Sequence, residues 1–166
     1  MQNVFDAQDA QEYINRINNL TPETQRKWGK MSVNQVLAHL NVAYDLTFMP
    51  EKFPKPSFIA KFLLSRFVKP KITNEIPYKQ SLPTSPAFII ADERNFEEEK
   101  AKLIGNIQRV QQLGREAFEG KENINFGKTR PLIVISISTL LLYTDEFAKK
   151  GFEYYFEQYY KSIEDA

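Results

Sequence analysis

MSVNQVLAHLNVAYDL, residues Met31–Leu46, is the stretch on which the fold turns. Ser32 and Gln35, three residues apart, form a capping box at the head of a helix. Behind them Val36, Leu37, Leu40, Ala43 and Leu46 recur at the spacing of one helical face. The same stretch holds His39, the only histidine of a chain that has no cysteine. At about 100° per residue, with Val36 as zero, Leu40 falls near 40°, Ala43 near −20°, Leu46 near −80° and His39 near −60°. The imidazole therefore flanks the apolar stripe, where it is expected to bond a neighbouring helix or line a crevice between helices.

Working outward, the spacing of Ala10, Tyr13, Ile14 and Ile17 from Asp9 onward predicts an amphipathic helix closed by Leu20. Thr21, Pro22 and Glu23 offer a cap, a first-position proline and an acid, which predicts a short helical turn ending at Gly29. Pro50, Pro54 and Pro56 interrupt the chain before SFIAKFLLSRFV, Ser57–Val68, a third helix with a broad apolar face and the bases Lys61 and Arg66. From Pro70 to Asp92, Pro77, Pro83 and Pro86 make a long extended connection of the kind that wraps a surface or covers a site. Asn95 and Glu98 then predict a capping box for a long helix with Phe96, Leu103, Ile107, Val110 and Leu113 on one stripe. The acids of EEEK, Glu97–Lys100, suit its first turn.

Residues 120–128 read as a polar loop. The run PLIVISISTLLLYTDEFAKKG follows from Pro131. Its β-branched residues would suit a strand, but a lone strand would have no partner, so it is read as a buried helix ended near Gly151. The tail FEYYFEQYYKSI carries Phe152, Tyr155, Phe156 and Tyr159 at helical spacing and predicts an extra C-terminal helix. Helices with few strand signals give an all-α fold in a single domain, residues 1–166.

Composition narrows the function classes. With 22 Lys and Arg against 21 Asp and Glu, the net charge of +1 supplies no global field for nucleic acid, and no nucleic-acid partner is expected. The longest charge-free apolar run, Leu132–Tyr143, falls short of the roughly 20 residues that span a bilayer, so no membrane span is expected. An N-terminus without a basic start and apolar run, together with the lack of cysteine, leads to the expectation of a cytoplasmic chain. No P-loop, G-x-G-x-x-G or G-x-S-x-G occurs.

The residues WGKMSVNQVLAHL, Trp28–Leu40, resemble the second-helix signature of the DinB-like superfamily, which takes in the YfiT-like proteins. The likeness is to an uncharacterised branch, a domain of unknown function, in which W-G-x-M precedes a helix ending in L-A-H. TSPAFIIADERNFEEEKAKL, Thr84–Leu103, resembles that branch's approach to its third long helix, and NFGK, Asn125–Lys128, resembles its F-G-K turn. This resemblance implies an up-down-down-up four-helix bundle, here with a long proline-rich connection. In the superfamily a divalent metal is held by one histidine of the second helix and an H-x-x-x-H on the fourth, and relatives include metal-dependent thiol transferases and isomerases. His39 matches the first ligand.

The other two ligands are missing. In LLLYTDEFAKKG one register puts Leu142 and Glu146 at the ligand places, the other Tyr143 and Phe147, and where the branch often has a further histidine this chain has Asn123. An open catalytic site usually needs three protein ligands, and without cysteine only histidine and carboxylates are strong donors. The expectation is therefore a degenerate metal site, with no cofactor and with His39 and Tyr143 beside a pocket for a small ligand, or else an interaction module. One alternative is a divalent-metal-dependent hydrolase or thiol transferase holding zinc or nickel through His39 and a substitute carboxylate, Asp145 or Glu146. Another is a structural homodimer built on the apolar fourth helix or the aromatic tail.

Overall fold

A computed structural model describes residues 4–26, 29–68, 86–119, 122–125 and 127–128 of the chain. The helix expected from Pro131 to Gly151, the tail helix, and the candidates Tyr143, Asp145 and Glu146 lie outside the described residues, as do Tyr155 and Tyr159.

The described chain is mostly helical. Helix α1 spans Ala7–Asn18, α2 Val33–Phe48, α3 Phe58–Leu63 and α4 Phe96–Leu113. α3 runs on into a wider π turn, Leu64–Val68. Short 3₁₀ turns lie at Pro50–Lys52, Pro86–Phe88 and Arg115–Ala117. Residues 120–128, expected as loop, carry a hairpin of two-residue strands, β1 Glu122–Asn123 and β2 Gly127–Lys128, paired antiparallel. Two residues per strand leave no apolar alternation for a sequence pattern to show.

Local chemistry sets each helix start. Asp6 caps α1 by accepting from the N–H groups of Gln8 and Asp9, three residues ahead of the start suggested by the periodicity. The capping box of α2 is complete: Ser32 Oγ accepts from Gln35 N, and Gln35 Oε1 accepts from Ser32 N. Such a cap is worth about 1 kcal/mol. Asn95 caps α4 through Glu98 N. Thr21 to Thr24 makes one hydrogen-bonded turn and no helix, closed by the Thr24 hydroxyl on Thr21 N. Gly29 adopts a positive φ of 81°, the left-handed conformation that glycine tolerates without a Cβ clash.

The core forms where three apolar stripes meet, and α4 is their common wall. Leu103, Ile107 and Val110 of α4 face Val36, Leu37, Leu40 and Tyr44 of α2 and Ala10, Tyr13, Ile14 and Ile17 of α1. Burying one such aliphatic side chain is worth about 1.5–3 kcal/mol. Phe96 and Phe118 close the two ends. Leu113, expected on the stripe, is exposed, because the helix ends there and Gly114 turns the chain away with φ 68°. Ion pairs and lysine caps fasten the seams. Lys102 Nζ meets Asp45 Oδ2 of α2 at 2.7 Å, and Lys100 Nζ bonds the carbonyls of Asn18 and Leu20 at the C-terminal end of α1, each at 3.0 Å. A cation there suits the helix dipole. Among the described residues no helix is long and apolar enough to cross a membrane.

Candidate functional site

His39 sits in the middle of α2, half-buried, on the flank that its place in the helical repeat requires. What covers it is residues 86–94, the last part of the proline-rich connection. Three side chains of α2 read the backbone carbonyls of this strap. Asn34 Nδ2 donates to Arg94 O at 2.9 Å, Gln35 Nε2 to Ile90 O at 3.0 Å, and His39 Nδ1 to Phe88 O at 2.8 Å. Gln35 thus serves twice, its Oε1 in the helix cap and its Nε2 on the strap, so the start of α2 and the seating of the strap depend on one amide. The strap holds its shape through Ile89 N donating to Pro86 O at 3.1 Å, while Ile90 is buried below it.

The bond to Phe88 decides the state of the imidazole. A carbonyl oxygen only accepts, so Nδ1 carries the proton and Nε2 the lone pair. Burial pushes the pKa of His39 below its ordinary value, because a charged ring is poorly solvated there, and the Phe88 carbonyl opposes this only in part. The ring is therefore neutral at pH 7. The Phe88 ring stands edge-on to it, 5.3 Å between centroids at 60°, and holds the imidazole plane in place. The arrangement supplies one oriented acceptor nitrogen beside an aromatic wall. It can receive a hydrogen bond or a proton from a donor.

Of the site residues expected from the sequence, the described structure places His39 alone. Among the described residues no group of three or more His, Asp or Glu side chains is close enough to hold a metal ion.

A second polar centre, which the sequence pattern did not reveal, lies in the seam between α2 and α4. Asn41 is 1 % exposed, and both amide N–H donors and the amide oxygen are hydrogen-bonded. Nδ2 donates to Glu99 O at 2.9 Å and to Glu99 Oε2 at 2.7 Å, and Oδ1 accepts from Asn106 Nδ2 at 3.1 Å. Glu99 also faces the Arg94 guanidinium at 3.5 Å, which itself pairs with Asp92 at 3.1 Å. The available signal was Glu99 and Asn106 at heptad spacing with Leu103 between them, opposite an asparagine two residues past His39. The network is closed on itself and supplies register between the helices. Five residues along α2 from His39, Tyr44 is fully buried, and its hydroxyl finds no hydrogen-bond partner among the described residues. Burial, reinforced by Tyr13, pushes its pKa upward, so it stays a neutral phenol.

No family model, curated protein or solved structure matches this chain.

Proposed function

We propose that the chain is a DinB-like helical bundle with a degenerate metal centre, and that it binds a small molecule at His39 without transforming it. The observation that carries this reading is the 2.8 Å bond from His39 Nδ1 to the Phe88 carbonyl. It leaves Nε2 as a fixed acceptor on a neutral, half-buried ring, suited to a ligand that presents an N–H or O–H group. The residues of LLLYTDEFAKKG support it from the sequence side, since neither register restores a nitrogen ligand. A cytoplasmic setting fits a chain without cysteine.

Elemental analysis of protein purified without chelator, followed by calorimetric titration with zinc and nickel, tests the proposal. The expected result is no stoichiometric binding. A one-to-one complex abolished by His39→Ala would overturn it. Nitrogen NMR of the single imidazole should show Nδ1 protonated and Nε2 bare.

The same lone pair favours a second reading, a divalent-metal-dependent hydrolase or thiol transferase in which Asp145 or Glu146 completes the ligand set with water. It requires an oxygen-rich site, so manganese relaxation should report His39 and one carboxylate together. Loss of the signal on His39→Ala but not on Asp145→Asn or Glu146→Gln would end that reading.

A further inference from the structure

α3 is turned the wrong way round for a helix of a water-soluble core. Ser57 caps it by accepting from Ala60 N at 3.2 Å, so the helix is locally well formed. Its half-buried arc consists of Ala60, Lys61, Leu64 and Ser65, whereas Phe58, Ile59, Phe62, Leu63 and Phe67 face outward. Phe58 is 86 % exposed and Phe62 60 %. Scattered exposed apolar residues are ordinary, but three phenylalanines with an isoleucine and a leucine along one arc form a contiguous patch, which marks a docking surface.

Charge identifies what docks. From Lys52 to Asn74 the sequence has six bases, Lys52, Lys55, Lys61, Arg66, Lys69 and Lys71, and no acid. The rest of the chain then holds 16 bases against all 21 acids. Along the sequence, the acid-free basic stretch of a nearly neutral protein is thus the one that contains its exposed apolar helix. Lys52, Lys55 and Arg66 are exposed, and the Arg66 guanidinium lies 5.9 Å from the Phe67 ring centroid. Two copies facing each other through this patch would set Lys52, Lys55 and Arg66 of one against the same bases of the other, which opposes self-association.

We propose that the exposed face of Phe58–Phe67, with Lys52 and Lys55 ahead of it and Arg66 within it, is a peripheral docking site for an anionic lipid bilayer surface. The helix lies in the plane of the interface, its phenylalanines at the acyl boundary and its bases at the headgroups. A single helical stretch from Phe58 to Val68 has too little apolar area to hold a membrane alone, and the bases supply the rest, about fivefold in partitioning per cation near the surface. The proposal is independent of any ligand at His39.

Co-sedimentation of the full chain with vesicles tests it. Vesicles of phosphatidylcholine with roughly a third phosphatidylserine should bind the protein about tenfold or more better than phosphatidylcholine alone. Raising salt from about 0.05 to about 0.5 M should release it. Phe58→Ser with Phe62→Ser should abolish binding, and Lys55→Glu with Arg66→Glu should reduce it at least about tenfold, with helical content unchanged in both. Failure of the wild-type chain to bind anionic vesicles would overturn the proposal. So would equal, salt-insensitive binding to both vesicle types, or binding by both double variants as tight as wild type. A dimer in sedimentation that Phe62→Ser converts to monomer would reassign the patch to a second copy of the chain and equally overturn it.

Discussion

α2 and α3 both begin behind a serine whose hydroxyl accepts from the backbone N–H three residues on, at 3.3 and 3.2 Å, and both are rich in large apolar residues. Their fates are opposite. α2 buries Val36, Leu37, Leu40 and Tyr44, while α3 leaves Phe58, Phe62 and Phe67 in the open. Capping and periodicity decide that a helix forms and how its faces divide. They do not decide which face turns inward. α2 finds that answer in the matching stripe of α4, Leu103, Ile107 and Val110. α3 is set apart by Pro50, Pro54 and Pro56, and the main helix packing, α2 on α4 and α1 on α4, passes it by.

Substitutions can break this contrast. The largest effect is expected at Leu37, which is fully buried: Leu37→Ala should lower the unfolding free energy in urea by about 2–5 kcal/mol. Asn41→Ala should follow at about 1–3 kcal/mol, because it strips the amide that satisfies Glu99 and Asn106 within the seam. A double-mutant cycle with Asn106→Ala should be non-additive, and simple additivity would remove the network from the account.

His39 gives a pH signature that α3 lacks. Its folded pKa lies below the ordinary value of about 6.5, so between the two the unfolded chain binds more protons. Stability should therefore be full above about pH 6.5, decline as the pH falls below it, and level off once the folded ring itself takes a proton. One site bounds the gradient at about 1.4 kcal/mol per pH unit. No other histidine contributes, so His39→Gln should flatten the profile in this window. A smaller, opposite effect is expected at Tyr44. Removing its unpartnered buried hydroxyl in Tyr44→Phe should raise the melting midpoint, by about 1 kcal/mol in free energy. Smallest of all, Phe58→Ser in α3 should shift stability by no more than about 0.5 kcal/mol. A loss near that of Leu37→Ala would show that α3 is packed in solution and erase the contrast.

Much of the helical framework could be read from the residues, because it rests on local chemistry. The Ser32–Gln35 box, the Asn95 cap and the apolar spacing of α1, α2 and α4 each need only a few neighbouring side chains. The site was only half legible. The flank position of His39 follows from its angle on the helix, but its partner is the backbone carbonyl of Phe88, 49 residues away, and a carbonyl leaves no trace in residue identity. The Asn41 network escaped for a related reason. A buried amide is recognisable only once the carboxylate and amide that satisfy it are placed opposite, 58 and 65 residues along the chain.

The central place of α4 also sets a clock. The bonds that fasten α2 and α1 to it join residues 58, 82 and 107 apart, Asn41 to Glu99, Asn18 to Lys100 and Val4 to Gln111. A chain leaving the ribosome therefore presents two amphipathic helices with no wall to close on until Leu113 has emerged. At about 5–20 residues per second, the roughly 65 residues from the end of α2 to Leu113 take on the order of 3–13 seconds to make. For that interval the stripes of α1 and α2 are as open to water as α3 is in the finished fold, and the nascent chain is a substrate for whatever shields apolar helices during synthesis.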